Sequence, residues 1–240
     1  MTVAEQLIRA KSDLDEVYAA GKREGSADSV SAFMESYQDS GNRTDYATAF
    51  AGTGWNENTF KPTRDITPSN AYMMFRGCAA AVSLPEWLEY HCGGVKLDFS
   101  KATNTQYLFN NSSFTEIGVV DVSGSTGSTP LDNAFTQCKN LVKIEKIVLK
   151  TGANAEFSNT FTGCTSLESI TFEGVIRKNG LNLQQCPLDA VTINSIAEHL
   201  EDKSGDTSGT EWVVTLGSRN LGMMAPGAED LATQKGWVLK

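Results

Sequence analysis

The feature of this 240-residue chain that most constrains its fold is an internal repeat. Residues 132–144 and 158–170 align without a gap, at an offset of 26 residues, and share the pattern N-x-F-T-x-C-x-x-L-x-x-I. Such a period is typical of proteins built from stacked units, each of which completes its core against its neighbours. The shared apolar positions, which we predict to be buried, are Phe135, Cys138, Leu141 and Ile144 in one copy and Phe161, Cys164, Leu167 and Ile170 in the other.

Three weaker copies of the pattern precede these two. They are centred on Phe50, on Phe75 with Cys78, and on Phe109. The Phe109 copy reaches its isoleucine, Ile117, one residue early. The five anchor phenylalanines are then spaced by 25, 34, 26 and 26 residues, and the long interval predicts an insertion near residues 86–94. Five copies at near-constant spacing are improbable as an accident.

The repeat predicts columns of identical side chains inside a stack of turns. Cysteine suits a tight column because it is small and behaves as an apolar residue. After each isoleucine position comes a run rich in β-branched residues, which predicts one short strand per repeat. Side by side, these strands would form a parallel sheet along one face of the stack. The predicted strands lie in residues 118–122, 146–149 and 169–172.

The F-x-x-C-x-x-L-x-x-I pattern resembles the BspA-like subclass of leucine-rich repeats, over about residues 66–190. This chain departs from that family in its irregular repeat length and in lacking the proline that often follows the strand. The resemblance implies a leucine-rich-repeat solenoid of short parallel strands. The departures concern the regularity of the curve and leave the expected architecture unchanged.

Residues 1–25 carry a different pattern. Apolar or small residues recur at steps of four and three, as at the a and d positions of a coiled coil, with charged residues between them. This predicts an amphipathic helix that serves as an oligomerising stalk or docking helix; the alternative is a helix packed on its own domain. A homotrimer is the expected assembly because fibres favour threefold symmetry. The seam residues are Val3, Leu7, Ala10, Leu14 and Val17.

The regions flanking the repeats are predicted to be caps, because the end repeats of a stack would otherwise expose their core. Residues 26–65 form the expected N-terminal cap, with a short helix at 28–39. Residues 191–240 form the expected C-terminal cap. Its elements are a helix over 188–200, a strand over 212–216, a short helix near 228–235 and a final strand over 237–239. The expected fold class is therefore α/β: a leucine-rich-repeat solenoid with an N-terminal coiled-coil-like helix and a C-terminal α/β cap.

Catalytic and metal-binding patterns are not found in the sequence. The two histidines, His91 and His199, lack the partners of a catalytic pair. We expect an ordinary loop or cap position for His91 and a solvated position on the polar side of a helix for His199. Five cysteines without a C-x-x-C pair indicate small buried residues in a reducing compartment. Residues 201–206 offer oxygen ligands without calcium-loop spacing and are interpreted as a solvated turn. We expect no enzyme activity, no cofactor and no metal.

Charge and hydropathy exclude two further classes of partner. The chain has 29 acidic against 20 basic side chains and a formal net charge of -9, which argues against nucleic acid binding. No apolar run approaches the roughly 20 residues of a membrane helix, so no membrane insertion is expected. The first residues do not predict a secretory signal.

Both ends of the chain resemble repeat proteins encoded among phage and prophage tail genes of gut bacteria. The matching segments are residues 10–18, 41–46, 54–56, 206–217 and 235–237. The resemblance implies a virion tail or tail-tip protein, assembled in the bacterial cytoplasm, whose partners are other virion tail proteins and a host surface protein or glycan. The alternative is a bacterial leucine-rich-repeat adhesin or protein-interaction module at the cell surface.

The sequence does not assign the residues that would bind a partner. Four aromatic residues in irregular or edge regions can either contact a partner or pack within a cap. They are Trp55, Trp87, Tyr90 and Trp212.

Overall fold

The structure is a computed structural model, and it describes residues 45–52, 62, 64–79, 81–125, 130–149 and 157–240. Several predicted features lie outside these residues: the helix over 1–25, the helix over 28–39 and Trp55. The seam residues outside the described part are Val3, Leu7, Ala10, Leu14 and Val17.

The five anchor phenylalanines form one ladder of stacked rings. Neighbouring ring centroids are 5.1–5.8 Å apart, and the last three ring pairs are within 7° of parallel. The first pair, Phe50 and Phe75, is tilted by 29° at 5.2 Å. All five rings are buried. Offset stacking at this distance is favourable beyond the apolar area that it buries, so the ladder links each turn of chain to the next.

The same backbone conformation recurs around every anchor. The residues two before and two after each phenylalanine have positive φ, between 55° and 79°. Glycine and asparagine adopt this conformation at least cost, and they fill six of the ten positions. The ten are Thr48, Met73, Tyr107, Asn133 and Asn159 before the anchors, and Gly52, Gly77, Asn111, Gln137 and Gly163 after them.

Backbone hydrogen bonds join consecutive turns in a repeated way. The Phe135 N–H donates to the carbonyl of Thr160 at 3.1 Å, and the Gln137 N–H donates to that of Thr162 at 2.7 Å. Equivalent bonds join the turns of Phe50, Phe75 and Phe109 to their successors. The backbone polar groups of the buried turns are therefore paired between neighbours, as burial requires.

A column of cysteines runs beside the ring ladder. The Cys138 thiol donates to the carbonyl of Phe109 at 2.9 Å, and the Cys164 thiol donates to that of Phe135 at 3.1 Å. Each thiol thus bonds to the anchor of the preceding turn. We call this set the cysteine column; its members are Cys78, Cys138, Cys164 and Cys186. Ser112 takes the equivalent position in the Phe109 turn, and its hydroxyl oxygen lies 3.5 Å from the Cys138 sulfur.

Three parallel strands follow the turns: β1 (Glu116–Asp121), β2 (Lys143–Val148) and β3 (Ser169–Glu173). They lie side by side in chain order, as the sequence predicted. Ile117, Ile144 and Ile170 are in register across the sheet and point into the core. Ile117 keeps this register although it comes one residue early.

A helix, α1 (Leu84–Cys92), occupies the long interval between Phe75 and Phe109. The sequence predicted an insertion here and did not predict its conformation. The Ser83 hydroxyl accepts from the Glu86 N–H at the start of α1, and Gly93 ends the helix at a φ of 65°. A parallel bridge joins Ser83 to Glu116 of β1. The chain before α1 therefore lies beside the start of β1, as a neighbouring strand would, and α1 begins at the next residue.

The C-terminal region contains α2 (Ala190–His199), β4 (Trp212–Val214), α3 (Gly217–Leu221), α4 (Pro226–Gln234) and β5 (Trp237–Leu239). Four of these were predicted, whereas α3 was not. β4 and β5 are parallel neighbours.

The turn pattern also reaches into the C-terminal region. The Leu183 N–H donates to the Thr215 carbonyl at 2.7 Å, as an anchor phenylalanine does to its successor. Asn220 is buried, and its amide group donates to the carbonyls of Leu183, Cys186 and Leu216. With the Phe50 turn at the other end, the stacked turns extend beyond residues 66–190 on both sides.

Candidate binding surface

The predicted repeat-core residues all lie in the interior. Each is at most 2% exposed, so these side chains form the core that supports the surface. They are Phe75, Cys78, Phe109, Phe135, Cys138, Leu141, Ile144, Phe161, Cys164, Leu167 and Ile170.

Helix α1 stands between two clefts. The first, which we call the Tyr90 cleft, has a volume of about 550 Å³. One wall comes from α1, with Glu86 and Tyr90, and the facing wall comes from Thr115, Glu116 and Val142 at the starts of β1 and β2. Volumes of this size are typical of small-ligand sites.

Aromatic side chains dominate the α1 wall of the Tyr90 cleft. The Trp87 ring is 6% exposed and stacks on the His91 imidazole, with centroids 4.2 Å apart. Tyr90, one turn further along the same helix, is 81% exposed. Val142, across the cleft, is 37% exposed. Trp87 therefore packs as a core residue, whereas Tyr90 presents its ring to solvent.

Hydrogen-bonding groups lie beside these rings. The Ser83 hydroxyl donates to Glu116 Oε2 at 3.2 Å, which holds this carboxylate at the foot of the cleft. Glu86 and Thr115 add further oxygens. The described residues that line the cleft include no lysine or arginine. The Tyr90 cleft is therefore rich in acceptors and carries negative charge.

The second cleft, which we call the acidic cleft, lies on the other side of α1 and has a volume of about 540 Å³. Its apolar lining residues include Leu84, Leu88, Phe99, Phe109 and Ile117 of the core. Its charged lining residues are four carboxylates and one ammonium group, namely Asp65, Glu89, Asp98, Asp121 and Lys96.

The carboxylates of the acidic cleft are held by local bonds. Asp65 accepts from the Lys96 N–H at 2.9 Å, and Asp121 accepts from the Ser123 N–H at 2.8 Å. Hydrogen bonds from the side chain and backbone of Ser100 lower the pKa of Asp98 below its ordinary value. This carboxyl group is therefore ionised at neutral pH.

The histidines occupy different settings. His91 lies in the last turn of α1 and is exposed. His199 was expected to be solvated, and this expectation is wrong: the residue is half-buried at the end of α2. Its Nδ1 atom lies 3.0 Å from the carbonyl oxygen of Gly174, and its ring faces Phe172. The geometry indicates a structural role for His199.

The cysteine column has the properties of structural thiols. Burial raises the pKa of Cys138 to about 11 and that of Cys186 to about 12. Burial also raises the pKa of Cys164, and the neighbouring thiols Cys138 and Cys186 add to the shift. These groups are protonated at neutral pH and donate hydrogen bonds, whereas a thiol nucleophile must ionise.

Residues 201–206 form a turn held by charged contacts. Glu201 bonds to Lys203 and to Arg177, the latter at 2.9 Å, and the Lys203 bond is the main cause of its lowered pKa. The Lys203 ammonium group lies 4.3 Å from the ring centroid of Trp212, and the Trp212 indole donates to Asp206 at 2.6 Å. Trp212 therefore packs within the C-terminal region.

No three His, Cys, Asp or Glu side chains in the described part of the chain lie close enough together to hold a metal ion. Of the helices that the structure describes, none combines the length and the apolar character needed to cross a bilayer.

Comparison with known proteins does not assign this chain to a family. No protein-family model, curated protein or solved structure matches this chain at a significant level. The two clefts beside α1 were not predicted from the sequence. A signal for α1 was present nonetheless: Ser83 before Pro85 at its start, and Gly93-Gly94 at its end, are typical helix boundaries.

Proposed function

We propose that this chain is a structural component of a phage tail, and that its repeat domain binds the surface of the host cell. In this proposal the stacked turns form a BspA-like leucine-rich-repeat solenoid. The ring ladder, the hydrogen bonds between turns and the parallel strands support that fold, because each recurs from turn to turn. In this proposal the chain acts by binding and not by catalysis.

The observation that carries the binding role is the position of α1. The interval that contains it is 34 residues long, whereas the other three intervals between anchors are 25 or 26. Insertions in repeat proteins often mark the binding face, because the stack itself is already complete without them. Here the insertion places the exposed Tyr90 ring at the mouth of a cleft.

The tail assignment has different support. The resemblance of residues 41–46 and 206–217 to the ends of tail-encoded repeat proteins motivates it, together with the seam predicted for residues 1–25. A stalk that joins several chains would place several binding domains on one particle. Weak individual contacts would then combine into firm attachment.

The proposal is tested in two steps with the full chain. Antibodies raised against the chain should label the tails of purified virions by immunogold electron microscopy. The fluorescently labelled chain should bind intact cells of the strain that carries the phage genes, and the unlabelled chain should compete. Binding to cells without virion labelling would favour the alternative, a bacterial adhesin or interaction module. Neither labelling nor binding would overturn the proposal.

A further inference from the structure

The Tyr90 cleft has the chemistry of a glycan site. We propose that it binds an uncharged or amino-sugar glycan of the host envelope, an inference that rests on the proposed function and names the ligand class for it. A sugar ring presents an apolar face of C–H groups and an edge of hydroxyl groups. A site for it therefore needs an accessible aromatic ring and nearby hydrogen-bond acceptors.

The aromatic part of this requirement is met by Tyr90. Its ring is 81% exposed and lines the cleft, so it is accessible to a ligand. Trp87 lies one turn before Tyr90 on the same helix, and its ring stacks on that of His91, the residue after Tyr90, with centroids 4.2 Å apart. Because Trp87 is buried, it holds the helix that carries Tyr90 against the core.

The acceptor part is met by the facing wall. The Ser83 hydroxyl donates to Glu116 Oε2, so the carboxylate is oriented before a ligand arrives. Glu86 lies on α1 between Ser83 and Tyr90 and supplies a second carboxylate. Carboxylates accept hydrogen bonds from sugar hydroxyls, and such charge-assisted bonds are the stronger ones.

The charge of the cleft selects among glycans. Glu86 and Glu116 line it, and no lysine or arginine is found among its described lining residues. Sialic or uronic acids would bring a third carboxylate next to these two and would be repelled. Neutral sugars fit, and a free amino sugar gains attraction from both carboxylates. The volume of about 550 Å³ lies in the range of small-ligand pockets.

The architecture makes the site rigid. α1 begins at the Ser83 cap and ends at Gly93, and Leu84, Trp87 and Leu88 fix its inner face in the core. A preformed site loses less conformational entropy on binding than a mobile loop.

The test uses the full chain on an array of defined glycans that spans neutral, amino and acidic sugars. We expect binding to neutral and amino-sugar glycans and none to sialylated or uronic-acid glycans. Binding of the acidic glycans alone would overturn the charge argument. No glycan binding by a chain that still binds host cells would overturn the glycan site and leave the proposed function standing. A chain that binds neither glycans nor host cells would overturn the glycan site and the proposed function together.

Variants locate the site on the molecule. Tyr90→Ala should weaken glycan binding about tenfold, whereas Tyr90→Phe should retain most of it because the ring remains. Glu116→Gln should reduce binding of amino sugars more than that of neutral ones. The matched control is Val191→Ala on α2, an apolar side chain that is 79% exposed and lies outside the lining of the cleft. Equal affinity of the wild type and Tyr90→Ala would place the glycan elsewhere and overturn the proposal.

Discussion

The thiols of the cysteine column act as hydrogen-bond donors inside the core. The Cys138 thiol lies in the core and satisfies the carbonyl of Phe109 in the preceding turn. An apolar residue of the same size would leave that buried carbonyl without this partner, which costs free energy. The same bond recurs at Cys78 and Cys164. The recurrent cysteine of this repeat is thus explained by hydrogen bonding as well as by size.

Burial of the Cys138 thiol predicts a pH dependence of stability. The pKa of Cys138 is raised from 9.0 to about 11 in the folded chain, so the thiol contributes its full stabilisation below pH 9. That contribution is lost as the pH rises from 9 to about 11, because the unfolded chain ionises first. Urea titrations at pH 8 and pH 11 measure the free energy of unfolding of the wild type and of Cys138→Ala. The stability advantage of the wild type over the variant should be smaller at pH 11 than at pH 8. A constant difference would contradict the prediction.

A glycine predicts a second effect at the residue scale. At Gly124, an added Cβ atom would overlap the carbonyl oxygen of Ser100 and lie 2.8 Å from its carbonyl carbon. Backbone cannot yield as a flexible side chain does, so Gly124→Ala should lower the free energy of unfolding by roughly 1–3 kcal/mol.

The control for this variant is Gly205→Ala. No atom lies within 4 Å of the position that its Cβ would take, so we expect a change within about 0.5 kcal/mol. Urea denaturation of both variants, followed by circular dichroism, measures the difference. Equal stabilities of the two variants would show that Gly124 is not a close-contact position.

At the scale of elements, the sequence predicted those that follow the repeat. β2 and β3 were predictable because β-branched residues follow Ile144 and Ile170 at equal spacing. The helix that became α2 and the strand that became β5 were predictable from their apolar patterns. In each case local propensity and the tertiary contacts favour the same structure.

The features that were missed depend on contacts distant in sequence. α1 has nine residues with only three buried side chains, and such a short pattern is ambiguous. The packing of α1 against β1 decides which aromatic residue of the helix faces the core. The sequence alone therefore could not predict that Trp87 is buried and Tyr90 exposed. The Leu183 turn was not predicted, because leucine replaces the anchor phenylalanine and lies only 22 residues after the preceding anchor, Phe161.

The cap of α2 gives a prediction at the scale of elements. Asp189 Oδ1 accepts from the Thr192 N–H at 2.7 Å, and the Asp189 N–H donates to the Glu168 carbonyl beside β3. Asp189→Ala removes the side-chain acceptor and should cost about 1 kcal/mol, whereas Asp189→Asn keeps an acceptor and should cost little. Thermal or urea unfolding measures both. Equal losses in the two variants would show that charge, and not capping, stabilises this helix end.

At the scale of the whole molecule, the buried residues that hold the stack together are distinct from the residues exposed on its surface. Anchors, cysteines and isoleucines form a continuous interior in which each turn bonds to the next. Such an array is stabilised by neighbour-to-neighbour contacts, and its surface can vary without loss of the core. Helix α1 is accordingly inserted at one interval, while the ladder of Phe75 and Phe109 continues beneath it.

Assembly is the last property that belongs to the whole molecule. The seam predicts that the chain forms an oligomer, and the threefold symmetry favoured by fibres makes a homotrimer the expected assembly. The seam residues are Val3, Leu7, Ala10, Leu14 and Val17. Light scattering of the full chain should give three times the chain mass of 25.9 kDa.

A seam variant makes the trimer prediction specific. Leu7→Asp combined with Leu14→Asp would place carboxylates in the apolar contact between helices, where desolvation and repulsion oppose association. This double variant should shift the mass to that of a single chain. Lys11→Ala, between the seam positions, should leave the trimer intact and is the control. A wild-type chain that stays monomeric at high concentration would contradict the trimer and favour a helix packed on its own domain. If the wild type is a trimer, the double variant should lose affinity for cells more steeply than affinity for a single soluble glycan. Attachment to cells depends on several sites acting together, whereas binding of one soluble glycan does not.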